Sequence, residues 1–191
     1  GGVIPDEENL GRLVYAARRI EDRLNVKLPY VSGGNSGSIY LLNESRLPKG
    51  INHLRIGEAM LLGRETSFGR RISGMADDVF TLKTEVIECI VKPSVPFGKV
   101  GLNAFGQKTE VADRGLRKRA IVACGRQDTI CADLVPRDGK IQFIGASSDH
   151  MILDVTDCKK EIKAGDIIEF SLTYGTLLAA FTSEYIHKEV V

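Results

Sequence analysis

Two short stretches of this chain carry residues whose types and spacing suit the binding of an anion. The first is Ser32-Gly33-Gly34-Asn35-Ser36, entered from Leu28, Tyr30 and Val31 and followed by Ile39, Tyr40, Leu41 and Leu42. The second is Gly57-Glu58, entered from His53-Leu54-Arg55-Ile56 and followed by Ala59, Met60, Leu61 and Leu62. Each pattern predicts a buried strand that turns through glycine into the start of a helix. Such a turn leaves backbone N–H groups without intrahelical partners, at the end where the helix dipole favours negative charge. Glycine lets the backbone approach a ligand closely, and the Ser36 hydroxyl adds a donor. Alone, SGGNS also suits an ordinary turn. Two such units roughly twenty residues apart, on neighbouring strands, point instead to a cradle for one phosphate.

With NHLRIGEAMLLGRET behind it, SGGNS resembles the alanine racemase family of pyridoxal-phosphate enzymes, and within it the ornithine racemase branch. The likeness extends to GRQD at 125–128 and GASSDHMILDVTD at 145–157, in the family's order. It implies pyridoxal 5'-phosphate as cofactor. Asn35 and Ser36 then match the pair ending one barrel strand, with Ser36 on the cofactor phosphate. Gly57 and Glu58 match backbone donors to the same group, and Arg55 matches the arginine facing the pyridine nitrogen. A permanently charged guanidinium there keeps that nitrogen unprotonated and favours reprotonation at Cα over transamination. From the residues alone, Arg55 also suits a strand-end ion pair with Glu58. Tyr185 matches a tyrosine that approaches the cofactor phosphate, or else packs in a terminal strand.

Racemisation wants a base on each face of the substrate. By the resemblance one is the Schiff-base lysine of the first barrel strand, which no lysine here matches in context. The other, in alanine racemases, is a tyrosine early in the C-terminal domain. The corresponding Lys99–Phe105 has none; Asn103 is polar but no base. That leaves Asp149 and His150 as candidates. Ser147-Ser148-Asp149 resembles the segment whose backbone binds the substrate carboxylate, and otherwise reads as a turn. Arg126 falls where alanine racemases carry a tyrosine at the substrate entrance, which fits a changed substrate; a surface ion pair with Asp128 is the alternative. His53 shares a strand face with Arg55 and reads as a core histidine. Three scattered histidines and four cysteines without CxxC spacing make no metal site.

These residues need elements to position them. With 191 residues, 43% hydrophobic and 27% charged, the chain has ample material for a core. A net charge of +1 points to neither nucleic acid nor an anionic membrane. No apolar run approaches the roughly 18 residues of a membrane span, and GGVIPDEEN has no basic and apolar signal-peptide pattern. Cys89, Cys124, Cys131 and Cys158 read as buried free thiols in a cytoplasmic protein.

Leu10, Leu13, Val14, Ala17, Ile20 and Leu24 recur at helical spacing, so 7–24 is expected as an amphipathic helix capped by Asp6. Strands are expected at 28–32 and 53–56, giving the alternation of an α/β fold with a parallel sheet, which places ligands at its strands' carboxyl ends. Residues 64–78 read as a connection. Strands follow at 80–91, 119–123, 151–155 and 166–170, with a hairpin signal at Asp138-Gly139.

The expected architecture is α/β plus β. In family terms, residues 1–75 would be the closing part of a (β/α)8 barrel and 76–191 a β-rich C-terminal domain. A barrel needs eight βα units, and about two and a half fit before residue 76. The chain therefore reads as the C-terminal half of a racemase that acts on a basic amino acid such as ornithine. Its implied partners are an amino-acid substrate, the missing N-terminal half and a second subunit of a homodimer. Alone it is expected to be inactive. A non-catalytic phosphate-binding module or pyridoxal-phosphate carrier is the alternative.

Overall fold

The computed structural model describes residues 2–98, 101 and 112–191. They divide into two compact units, Gly1–Val79 and Phe80–Val191. The stretch 99–105 lies, but for residue 101, outside the described residues.

The first unit opens with α1, Glu7–Leu24, where the apolar spacing predicts it. Asp6 accepts from the Asn9 N–H at 2.7 Å, and the Asn9 side chain accepts from the Asp6 N–H at 3.1 Å. This reciprocal cap, with Glu7 and Glu8 in the first turn, satisfies donors that the helix leaves open. Leu10, Val14 and Ala17 face inward. Beyond it come β1 (Ser32–Asn35), a 3-10 turn (Ser36–Ser38), α2 (Ile39–Asn43), β2 (His53–Arg55) and α3 (Glu58–Leu62). β1 and β2 are parallel, with Ser32 opposite His53 and Asn35 opposite Arg55.

The first strand is displaced from its expected place. The ladder is made by the glycine run itself, not by residues 28–31. Pro29 has no N–H to give a ladder, and the Asn52 side chain holds that stretch instead, accepting from Val31 N–H and donating to Pro29 O. Tyr30 is exposed. Gly33 is required within the ladder, because a Cβ there would run into the Ile51 side chain.

The second unit is an antiparallel sheet. In chain order its elements are β3 (Thr81–Pro93), β4 (Leu116–Val122), a 3-10 turn (Cys131–Asp133) and β5 (Val135–Pro136), then β6 (Gln142–Ala146), β7 (Met151–Asp154), β8 (Ile167–Ser171) and α4 (Tyr174–Thr182). The strand order is β5-β8-β3-β4-β7-β6. The 13-residue β3 serves two partners: its first part pairs with β8 and its second with β4, on either side of an irregularity between Val86 and Glu88. Alternate residues of these strands bury a core that includes Val86, Val122, Met151, Leu153 and Phe170.

Two expectations are corrected here. Asp138-Gly139 forms a turn, with Ile141 N–H on Asp138 O, but no hairpin, because β5 and β6 leave it for opposite edges of the sheet. The tight hairpin is β6–β7, turned by Ser147–His150. Tyr185 lies in no strand. It follows α4, a helix hidden from periodicity by apolar residues on most sides and made definite by a reciprocal Thr173–Thr176 cap.

Candidate functional site

The cradle in the first unit is built around one buried hydroxyl. Ser36 Oγ accepts from the Ala59 N–H at 3.2 Å, tying the first strand–turn unit to the start of α3. Ser36 is 4% exposed. Its hydroxyl proton has no acceptor among the described residues, so it remains available as a donor. Asn35 Oδ1 accepts from Gly37 N–H at 2.9 Å and fixes the 3-10 turn. Ser38 donates to Gly33 O, closing the same turn.

Ahead of α3, the N–H groups of Gly57 and Glu58 have no hydrogen-bond partner among the described residues. A Cβ at Gly57 would meet no atom within 4 Å, so open space lies beside the backbone at that residue. Glu58 carries a carboxyl that burial pushes above its ordinary value. Arg55 is exposed, and the strand-end ion pair with Glu58 is not formed. His53 is exposed too, correcting its reading as a core residue: its Nδ1 lies 3.0 Å from Ser32 Oγ, and its ring tilts against Tyr30.

A further part of this unit escaped the sequence reading. Residues 64–71 form a closed loop: Arg64 bridges Arg71, and Arg64 and Arg71 both reach Asp77, at 2.9 and 3.0 Å. Inside it lies Glu65, 2% exposed. Nothing in the composition of RETSFGRR marks that glutamate for burial.

The second unit brings together Arg126, Ser148 and Asp149. The Arg126 and Gln127 N–H groups donate to Ser147 O and Ser148 O, each at 2.9 Å. Gly125 lies flat on the Ser148–Asp149 peptide, where a Cβ would collide with the backbone. Asp128 is buried and spent on this turn, accepting from Gly125 N–H at 2.8 Å and from Ser183 Oγ at 3.3 Å. Ser147 Oγ donates to Asp149 Oδ1 at 2.9 Å, and His150 Nδ1 lies 3.1 Å from the same oxygen. These contacts hold the Asp149 carboxyl below its ordinary range, Ser147 first and His150 second. Asp149 Oδ2 has no partner among the described residues. Because His150 meets both Ser147 and Asp149 through Nδ1, the three are not a relay. Tyr185 is exposed, its N–H on Ser183 Oγ.

No protein-family model matches the chain. Over all 191 residues it is 53% identical to an ornithine racemase of Acetoanaerobium sticklandii, covering 54% of that protein. Over 188 residues, 98% of the chain, it is 44% identical to a lysine racemase of Thermotoga maritima, covering 53% of it. From end to end, the chain is similar to the C-terminal half of amino-acid racemases. It spans about half the length of these curated relatives. A crystal structure of alanine racemase from Bartonella henselae, with covalently bound pyridoxal phosphate, superposes with a TM-score of 0.59 at 20% identity, over 92% of this chain and 46% of that one. That likeness is one of fold: the closing strand–helix units of the racemase barrel, then its β-rich C-terminal domain.

The racemase cofactor can be tested against the cradle. A phosphate needs several N–H or O–H donors converging on open space. Gly57, Glu58 and Ser36 supply unspent donors, and Gly57 supplies the space. The residues fit the group.

Among the described residues no helix is long and apolar enough to cross a membrane, and no three His, Cys, Asp or Glu side chains cluster as a metal site. All four cysteines are free; Cys124 and Cys131 are buried, Cys89 and Cys158 partly so. Burial raises the Cys124 thiol to about 12 and is the first cause of the rise of Cys158 to about 11, so neither is a ready thiolate.

Proposed function

We propose that this chain forms the C-terminal portion of a cytoplasmic, pyridoxal-phosphate-dependent racemase that interconverts the enantiomers of a basic amino acid such as ornithine. The observation that carries the proposal is the Ser36–Ala59 bond, which ties together the two strand–turn units that carry the unspent donors. The identities to an ornithine and a lysine racemase support the substrate class.

When bound, pyridoxal phosphate supplies an electron sink for the carbanion at the substrate's Cα. In this reading the chain's own residues bind and orient. Ser36 and the N–H groups of Gly57 and Glu58 hold the phosphate, while Asn35 keeps the turn in shape and Tyr185 joins the same set. Arg55, with no ion-pair partner among the described residues, gives a hydrogen bond to the pyridine nitrogen without surrendering its proton. Arg126, Ser148 and Asp149 meet the substrate. An exposed carboxylate held below its ordinary range is a weak proton acceptor but a good ligand for a cation. Asp149 therefore receives the distal ammonium of the substrate rather than removing the Cα proton. In the intact enzyme the other half of the barrel brings the lysine, and two subunits pair.

The test is to join the chain to the N-terminal half of such a racemase. The product should take up pyridoxal phosphate, seen as a visible absorbance band, and interconvert L- and D-ornithine faster than alanine. A joined, folded protein that takes up no cofactor would overturn the reading.

A further inference from the structure

We propose that Glu65 is a positioning residue for the phosphate cradle: its buried carboxyl folds the 65–70 loop into a buttress that holds the Ser36 turn in place. The proposal rests on the pyridoxal-phosphate reading above, and assigns a role to a residue outside the two strand–turn units.

The geometry has three steps. Glu65 Oε2 accepts from Ser67 N–H at 2.8 Å and from Phe68 N–H at 3.1 Å. Its Oε1 accepts from Phe68 N–H at 3.2 Å and from Arg70 N–H at 2.9 Å. One side chain thus takes the place of the backbone partners the loop lacks, from a position almost sealed from water. Glu65 N–H also closes on Arg70 O at 3.0 Å.

The loop so formed leans on the cradle. Ser67 Oγ donates to Gly37 O at 2.8 Å. Gly37 follows Ser36 in the 3-10 turn and is itself buried; a Cβ there would crowd Ser67 Oγ at 3.1 Å and Thr66 Oγ1 at 3.4 Å. Phe68 adds a second contact, its ring edge-on to Tyr40 of α2 with centroids 5.1 Å apart. The chain of support runs from Glu65 to Ser67, to the Gly37 carbonyl, and to the hydroxyl of Ser36 against Ala59. No member of the loop needs to touch the ligand. Its task is to keep the donors where a phosphate can meet all of them at once.

A positioning role predicts a loss confined to the phosphate. In the full-length protein, Glu65→Gln turns one acceptor oxygen into an N–H donor facing backbone donors. Its affinity for pyridoxal phosphate should fall at least about tenfold. Affinity for pyridoxal, which lacks the phosphate, should stay within roughly a factor of two of the parent. Ser67→Ala removes only the contact to Gly37 and should show the same selective loss at smaller size. It carries the test if Glu65→Gln fails to unfold cooperatively. Equal losses for the two ligands, or none in either variant, would overturn the proposal. A parent protein that binds neither ligand would overturn the pyridoxal-phosphate reading itself, and this inference with it.

Discussion

The Ser36 hydroxyl and the Ala59 N–H, 23 residues apart, lie 3.2 Å from one another and lock two successive strand–turn units together. Ser36→Ala removes both this bond and the donor offered to a phosphate. The variant should bind pyridoxal phosphate at least about tenfold more weakly, and leave the buried Ala59 N–H unsatisfied at about 1–3 kcal/mol. A spectrophotometric titration of the joined protein, with a thermal melt beside it, measures both. Unchanged affinity would remove Ser36 from the cradle.

Asp149 predicts substrate charge. Asp149→Asn keeps the hairpin turn's shape and discards the charge offered to a distal ammonium. The KM for ornithine should rise by more than about tenfold, with that for a neutral amino acid changing little. Equal changes for both substrates would assign Asp149 to the turn alone.

Gly125 is the point at which the 125–128 turn meets the Ser147–His150 turn. Gly125→Ala places a methyl group into the Ser148–Asp149 peptide, which must move. Overpacking of this kind costs about 1–3 kcal/mol. The functional expectation is a raised KM with unaltered cofactor affinity. Loss of cofactor from this variant would contradict that division of labour.

Arg117 and Asp154 predict the acid limb of stability. Arg117 Nε donates to Asp154 at 2.8 Å, and its Nη2 to Asp157 at 2.7 Å. Burial works to raise the Asp154 carboxyl, yet Arg117 and Thr156 hold it below its ordinary value. A carboxyl depressed on folding stabilises the protein above its unfolded-state pKa, and that contribution is lost as pH falls through its folded-state pKa. Arg117→Ala should lower stability near neutral pH, since it takes the ion-pair partner from the buried Asp154 carboxylate. Its deficit should shrink as the medium is acidified below the ordinary carboxylate range. A deficit independent of pH would deny the pair this role.

A final expectation concerns the partner half. The two parallel strands of the first unit leave both sheet edges without a strand among the described residues, and parallel sheets are ordinarily covered on both faces. Expressed beside the N-terminal half as a separate polypeptide, the chain should co-purify with it. A cooperatively folding 20.9 kDa monomer that ignores that half would refute this.

Much of this was legible because local chemistry and tertiary structure agreed. The Asp6 cap and apolar spacing of α1, the β2 motif, and the core strands β3, β4, β7 and β8 all lie within a few residues of where their patterns place them. β1 slipped because a ladder of small residues has no apolar signature, and only its neighbour Ile51 explains Gly33. The hairpin at Asp138-Gly139 failed because a turn dipeptide reports a local bend, not the destination of the strands leaving it. Glu65 was invisible for a related reason. A buried carboxyl satisfied wholly by the backbone needs no charged neighbour that a sequence could display.

The divided pairing of β3 bears on how the second unit is made. Residues 81–85 wait for partners in 167–171, roughly eighty to ninety residues later in synthesis. Their half of the sheet cannot close until residues 167–171 have left the ribosome, whereas the β6–β7 hairpin can form as soon as it emerges. Nascent chains stalled before residue 167 should therefore hold an ordered hairpin beside an open β3 edge, the segment that a chaperone would have to shield.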